Sequence, residues 1–131
     1  MFMIKSNGGS GTLEHCTFNN FMGHTNAYTL DLNAYWSDET TAAGDGVQYT
    51  DLSFNHWHGT CADGATRAPL QLLCPSGVPC TDITITAFYI WTETGSVEYY
   101  KCENAYGTGP CLETGSDYTT YTSTGTVTTV T

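Results

Sequence analysis

Residues 13–23 read Leu13-Glu14-His15-Cys16-Thr17-Phe18-Asn19-Asn20-Phe21-Met22-Gly23, and thirty-six positions on, Tyr49-Thr50-Asp51-Leu52-Ser53-Phe54-Asn55-His56-Trp57-His58-Gly59 repeats the pattern. Phe18, Asn19 and Gly23 recur as Phe54, Asn55 and Gly59. A further thirty-one positions lead to Thr81-Asp82-Ile83-Thr84-Ile85-Thr86-Ala87-Phe88, where Thr50-Asp51 returns as Thr81-Asp82. Three apolar columns emerge: Cys16/Leu52/Ile83, Phe18/Phe54/Ile85 and Phe21/Trp57/Phe88. Each segment starts with apolar and polar residues in alternation, the pattern of a strand with one buried face.

A second set of short alternating segments lies between these. It comprises Met3-Ile4-Lys5, Leu30-Asp31-Leu32, Leu70-Gln71-Leu72 and Val97-Glu98-Tyr99. Two or more strands per repeat, unequal Gly-rich connections and no helical stretch suit a coiled β-solenoid, in which each turn stacks on the last. A β-sandwich also has short strands and frequent turns, but nothing in a sandwich requires like residues to recur in register. The expected fold is therefore all-β, a solenoid over residues 1–114, followed by a Ser/Thr-rich tail, linker or peripheral strand over 115–131. An isolated run of solenoid turns is expected to leave one end exposed.

The 131-residue chain has thirteen Asp and Glu against Lys5, Arg67 and Lys101, a formal net charge of −10. No basic patch is available to neutralise phosphates, so nucleic acid and anionic membrane surfaces are unsuited as partners. No apolar run approaches the ~20 residues that span a bilayer.

Six cysteines point to an oxidising compartment. Cys74 and Cys80 enclose Pro-Ser-Gly-Val-Pro, and Cys102 and Cys111 enclose an insert with Gly107, Gly109 and Pro110. Such inserts let chain ends meet, so each pair is expected to form a local disulfide. Cys16 falls in an apolar column and is expected to pack as a small hydrophobe; Cys61 has no evident role. Residues 1–20 hold no signal-peptide apolar region, so the chain reads as a fragment, an excised domain or the product of a gene start placed too late.

Alternation places Met3 and Lys5 on one face of their strand, opposite Ile4. It likewise places Asp31, Asn33 and Tyr35 opposite Leu30 and Leu32. In so acidic a chain an outward lysine carries weight, because it can attract an anionic ligand that the rest of the surface repels. His56-x-His58-x-x-Cys61 has a metal-like spacing, with both histidines expected on one strand face. It lacks an obvious fourth ligand, so solvent-facing histidines are the preferred reading and no metal or other cofactor is expected. Arg67 is expected to pair with Asp63 in its own loop.

Several motifs together resemble glycoside hydrolase family 28, most closely its fungal rhamnogalacturonan hydrolases. They are Met3-Ile4-Lys5-Ser6-Asn7-Gly8-Gly9, Gly23-His24-Thr25-Asn26-Ala27-Tyr28, Tyr35-Trp36-Ser37, Gly44-Asp45-Gly46-Val47-Gln48, the loop from Cys61 to Arg67, and Ile90-Trp91-Thr92-Glu93. The resemblance covers nearly the whole chain. It implies a right-handed parallel β-helix, secretion by a fungus, and inverting hydrolysis of the galacturonate–rhamnose backbone of pectin by a protein monomeric at full length.

The same resemblance gives Lys5 the galacturonate-binding role and makes Tyr35 the tyrosine that closes the sugar subsite. Asp31 and Trp36 are further candidate substrate-binding residues. Met3 stands where polygalacturonases carry Arg, which argues against polygalacturonan as the substrate. The family's catalytic carboxylates belong to strands upstream of the lysine strand, so by this alignment no catalytic residue is expected in the chain. A non-catalytic pectic-carbohydrate-binding or cell-wall interaction protein is the second reading. A pectate-lyase-like solenoid is the third, and Asp31, Asp38 and Glu39 are a poor substitute for that enzyme's calcium cluster.

Overall fold

A computed structural model describes residues 1–62, 68–94 and 98–127. The expected Arg67–Asp63 pair, Val97 and the last four residues lie outside the described residues.

Among the described residues nine strands form two sheets. The first contains β1 (Phe2–Lys5), β3 (Leu30–Asn33), β5 (Leu70–Leu73), β7 (Glu98–Glu103) and β9 (Thr122–Val127), in that order. The second contains β2 (Thr12–Asn26), β4 (Gln48–Cys61), β6 (Cys80–Thr92) and β8 (Ala105–Thr108). The chain passes alternately from one sheet to the other and always returns beside its previous passage. The pairs are parallel except for β7 with β9. This is the coil of a parallel β-helix, as the in-register repeats require.

The three apolar columns are ladder partners. Cys16 pairs with Leu52 and Leu52 with Ile83; Phe18 pairs with Phe54 and Phe54 with Ile85; Phe21 pairs with Trp57 and Trp57 with Phe88. Stacking follows directly. The Phe18 and Phe54 rings lie 5.0 Å apart at 10°, and those of Phe21 and Trp57 lie 4.2 Å apart at 12°. Parallel in-register strands place identical side chains about 4.8 Å apart, a spacing at which aromatic rings attract when offset. An outward ladder runs alongside, with Asn55 Nδ2 donating to Asn19 Oδ1 at 2.9 Å and Thr86 Oγ1 donating to Asn55 Oδ1 at 2.5 Å.

β2 and β4, of 15 and 14 residues, are far longer than a common strand because each continues through two or more bends. The bends stack as well. His15, Asp51 and Asp82 have φ of 57°, 52° and 53°, and Asn20, His56 and Ala87 have 62°, 58° and 50°. His, Asp and Asn tolerate the left-handed region better than most side chains. The second bend explains why the columns run 16, 18, 21 rather than at an even spacing. His56 and His58 stand on one exposed side with buried Trp57 between them, as expected; the phase shift falls between Phe54 and Trp57. Gly59 lies directly over Gly23 with φ of 130°, and a Cβ there would strike the Gly23 backbone.

The first sheet contributes two inner columns, Phe2/Leu30/Leu70/Tyr100 and Ile4/Leu32/Leu72/Cys102. The fourth member of this set is therefore Tyr100-Lys101-Cys102, three residues later than the expected Val97-Glu98-Tyr99. The two ends of the coil differ. β9 lies antiparallel along β7, while Glu113 bridges to Tyr106 of β8 and Tyr121 packs against the core, so this end is capped. At the other end Phe2, Phe18 and Phe21 are only half-buried. Both expected disulfides form, Cys74–Cys80 and Cys102–Cys111, each with Cα atoms 5.7 Å apart. Cys16 is half-buried against the core, Cys61 is buried in it, and both stand outside the disulfides.

Candidate functional site

The outer face of the first sheet carries two columns. Ladder pairing sets Met3, Asp31, Gln71 and Lys101 in one, and Lys5, Asn33, Leu73 and Glu103 in the other. Lys5, at the end of β1, is exposed, and its Nζ sits 4.0 Å from the centroid of the Trp36 ring. The aromatic face attracts the ammonium without neutralising it. Among the described residues Lys5 makes no ion pair, whereas Lys101 Nζ lies 3.0 Å from Glu103.

Asp31 shares the side of the sheet expected for it, but not the exposure that ligand contact needs. It is 1 % exposed, and its Oδ1 accepts a 2.9 Å hydrogen bond from Gln71 Nε2. A buried carboxylate held by a neighbour belongs to the wall of the site rather than to its surface. The sequence assigns Asp31 a side but no depth, because alternation says nothing about what crosses above the strand.

Asn7 assembles the rest. The turn after β1 bridges to Tyr35 in antiparallel fashion, and Asn7 Nδ2 donates to the carbonyls of Trp36 (3.2 Å) and Glu39 (3.1 Å). The Trp36 amide donates to Ser6 O at 3.0 Å and the Ala42 amide to Asn7 O at 2.9 Å. Gly8, with φ of 66°, lies so close to the Ala42 carbonyl that no Cβ would fit. Beneath this turn the Tyr49 hydroxyl donates to Ser6 Oγ at 2.7 Å; burial holds that phenol above its usual pKa, partly opposed by the Ser6 bond. The Asn-Gly-Gly turn thus fixes the Tyr35–Trp36 segment next to the end of β1, with the Trp36 ring against Lys5. The Asn-Gly-Gly sequence signals a turn, but not that the Asn side chain holds a loop twenty-nine residues away.

Tyr35 is 48 % exposed. Its hydroxyl donates to the Cys74 carbonyl at 3.2 Å and accepts from the Ser76 amide at 3.0 Å. Trp36 therefore stands against the cation, with Tyr35 its chain neighbour, on a chain of net charge −10.

Elsewhere, His15 bonds Asp51 at 2.6 Å on the rim of a shallow depression that Glu14 and Asp82 also line. The Asp51 bond, followed by the Glu14 charge, holds His15 above its usual pKa. That depression has the wrong sign for an anion. His56 and His58 are exposed and line another depression with Met22 and Tyr89, while Cys61 points into the core. Among the described residues no three His, Cys, Asp or Glu gather to hold a metal ion.

The described strands thus form a parallel β-helix whose first sheet presents Lys5 against the Trp36 ring. The chain belongs to glycosyl hydrolases family 28, whose pattern residues 2–112 match. It is 53 % identical over 128 residues to "Rhamnogalacturonase A" of Aspergillus aculeatus, covering 98 % of this chain and 29 % of that protein. It is 54 % identical over 129 residues to "Probable rhamnogalacturonase A" of Aspergillus niger, again covering 98 % and 29 %. With "Rhamnogalacturonase A" of Emericella nidulans it shares 48 % over 124 residues, covering 95 % and 24 %. The chain thus spans less than a third of the length of these relatives.

Proposed function

We propose that this chain is the substrate-binding wall of a secreted glycosidase that cleaves the rhamnogalacturonan backbone of pectin. The family membership and the rhamnogalacturonase relatives support the reaction class, and the two disulfides suit an extracellular site. The observation that carries the binding role is Lys5, exposed, without an ion pair among the described residues, on a chain of net charge −10. A galacturonate carboxylate meets an ammonium there, and Tyr35 and Trp36 offer ring faces to sugar carbons. Met3, in the neighbouring column, adds no second cation, which fits a backbone in which uronates alternate with neutral rhamnose.

Hydrolysis with inversion needs a carboxylic acid and a carboxylate roughly 6.5–9.5 Å apart across the scissile bond. On the first-sheet columns that carry Lys5, Asp31 is engaged by Gln71 and Glu103 by Lys101. The 131-residue chain by itself therefore binds and does not turn over. The test is calorimetric titration with galacturonate–rhamnose oligosaccharides beside a neutral oligosaccharide of equal length, with a reducing-end assay on the same samples. Preferential binding of the acidic oligosaccharide without new reducing ends is expected; equal affinity for both sugars refutes the binding role, and release of reducing ends refutes the non-catalytic one.

A further inference from the structure

The Tyr35 hydroxyl is occupied by the protein itself. Its proton goes to the Cys74 carbonyl and its oxygen accepts from the Ser76 amide, at 3.2 and 3.0 Å. Both partners belong to the short loop closed by Cys74–Cys80, one coil further along the helix. The loop is fixed in turn. The Cys74 amide donates to Glu103 O and the Cys80 amide to Asn104 O, each at 3.0 Å, and buried Asn104 donates from Nδ2 to the Cys74 carbonyl at 3.1 Å. Asn104 Oδ1 accepts from the Tyr121 amide at 3.0 Å. A continuous set of bonds therefore runs from the C-terminal cap through the disulfide loop to the Tyr35 ring.

We propose that the Cys74–Cys80 loop is a positioning element for Tyr35: it consumes the phenol's one proton, so that the ring presents a face rather than a hydroxyl donor to the ligand. A phenol has one donor, and the Cys74 carbonyl takes it. A half-exposed tyrosine tethered by its hydroxyl also loses ring freedom before the sugar arrives, which lowers the ordering cost on binding. The disulfide closes the loop and keeps both tether atoms in place. This inference rests on the reading of Lys5 and Tyr35 as sugar-binding residues, while the tether itself is testable without sugar.

Two experiments on the 131-residue chain separate these parts. Tyr35→Phe keeps the ring and deletes both tether bonds, and amide hydrogen exchange at Ser76 should accelerate about tenfold. Unchanged exchange at Ser76 overturns the tether. For the ligand, Cys74→Ala/Cys80→Ala should weaken binding of a galacturonate–rhamnose oligosaccharide about fivefold, and should add nothing in a Tyr35→Ala background, because the loop acts through that ring. Losses that simply add in the combined variant overturn the positioning role. Failure of the unaltered chain to bind counts against the proposed function, and the Ser76 exchange then still decides the tether.

Discussion

The two sheets of this coil are built from one repeat and used differently. In the second, β2, β4 and β6 run for 13–15 residues with their turns absorbed as left-handed bends, and side chains stack like upon like. In the first, β1, β3 and β5 are four residues long, and the chain leaves each in a loop of its own length and sequence. The difference teaches where each kind of information lies. Repetition along the second sheet builds the fold, and irregularity beside the first gathers the unlike groups of the candidate site.

Three perturbations sharpen this contrast. The largest effect belongs to the stacked sheet. Trp57 is 0 % exposed, lies between Phe21 and Phe88, and donates its indole proton to Phe18 O at 2.8 Å. Trp57→Ala should cost about 3–5 kcal/mol in denaturant unfolding. A loss comparable to that of a surface substitution would mean the aromatic stack is not what holds the coils together.

A smaller effect is expected from the outward ladder. Asn55→Ala removes one bond to each neighbouring coil, through Asn19 and Thr86, and should cost about 1 kcal/mol by the same measurement. Smaller still is the effect of His15, at the exposed first bend, where the bond to Asp51 and then the Glu14 charge raise its pKa above 6.5. A raised folded-state pKa stabilises fully below the unfolded value and is lost as pH rises through the folded one. The melting-temperature deficit of His15→Ala should therefore be greater below pH 6.5 than well above it. A deficit that grows with pH would reverse the assigned sign.

The same contrast explains how much was readable in advance. Cys16/Leu52/Ile83 and its two companion columns are visible in the bare sequence because parallel in-register pairing turns sequence recurrence into spatial contact. The disulfides are visible because their loops are short and rich in turn residues. The bends at Asn20 and His56 are less so, since a left-handed residue shifts the side-chain phase without announcing itself, here between Phe54 and Trp57. Tyr100-Lys101-Cys102 was hidden by its cysteine, which serves both as a disulfide partner and as the inner-column successor of Leu32 and Leu72.

At the site, Lys5 was legible as an outward cation and Asp31 only as a side of the strand. Its burial depends on packing over the outer face, which alternation does not encode. The Asn7 clamp on the Trp36 loop and the tether of Tyr35 to the Cys74–Cys80 loop join residues twenty-nine to forty-one positions apart that share no repeat. No periodicity could have revealed them.

The proposal that the first sheet binds an acidic sugar turns on a single charge, and Lys5→Met removes that charge while keeping most of the side chain's length. Calorimetric titration with a galacturonate–rhamnose oligosaccharide should show affinity about tenfold weaker than that of the unaltered chain, with unfolding stability unchanged. Equal affinity in the two proteins, with both folded, would contradict the account.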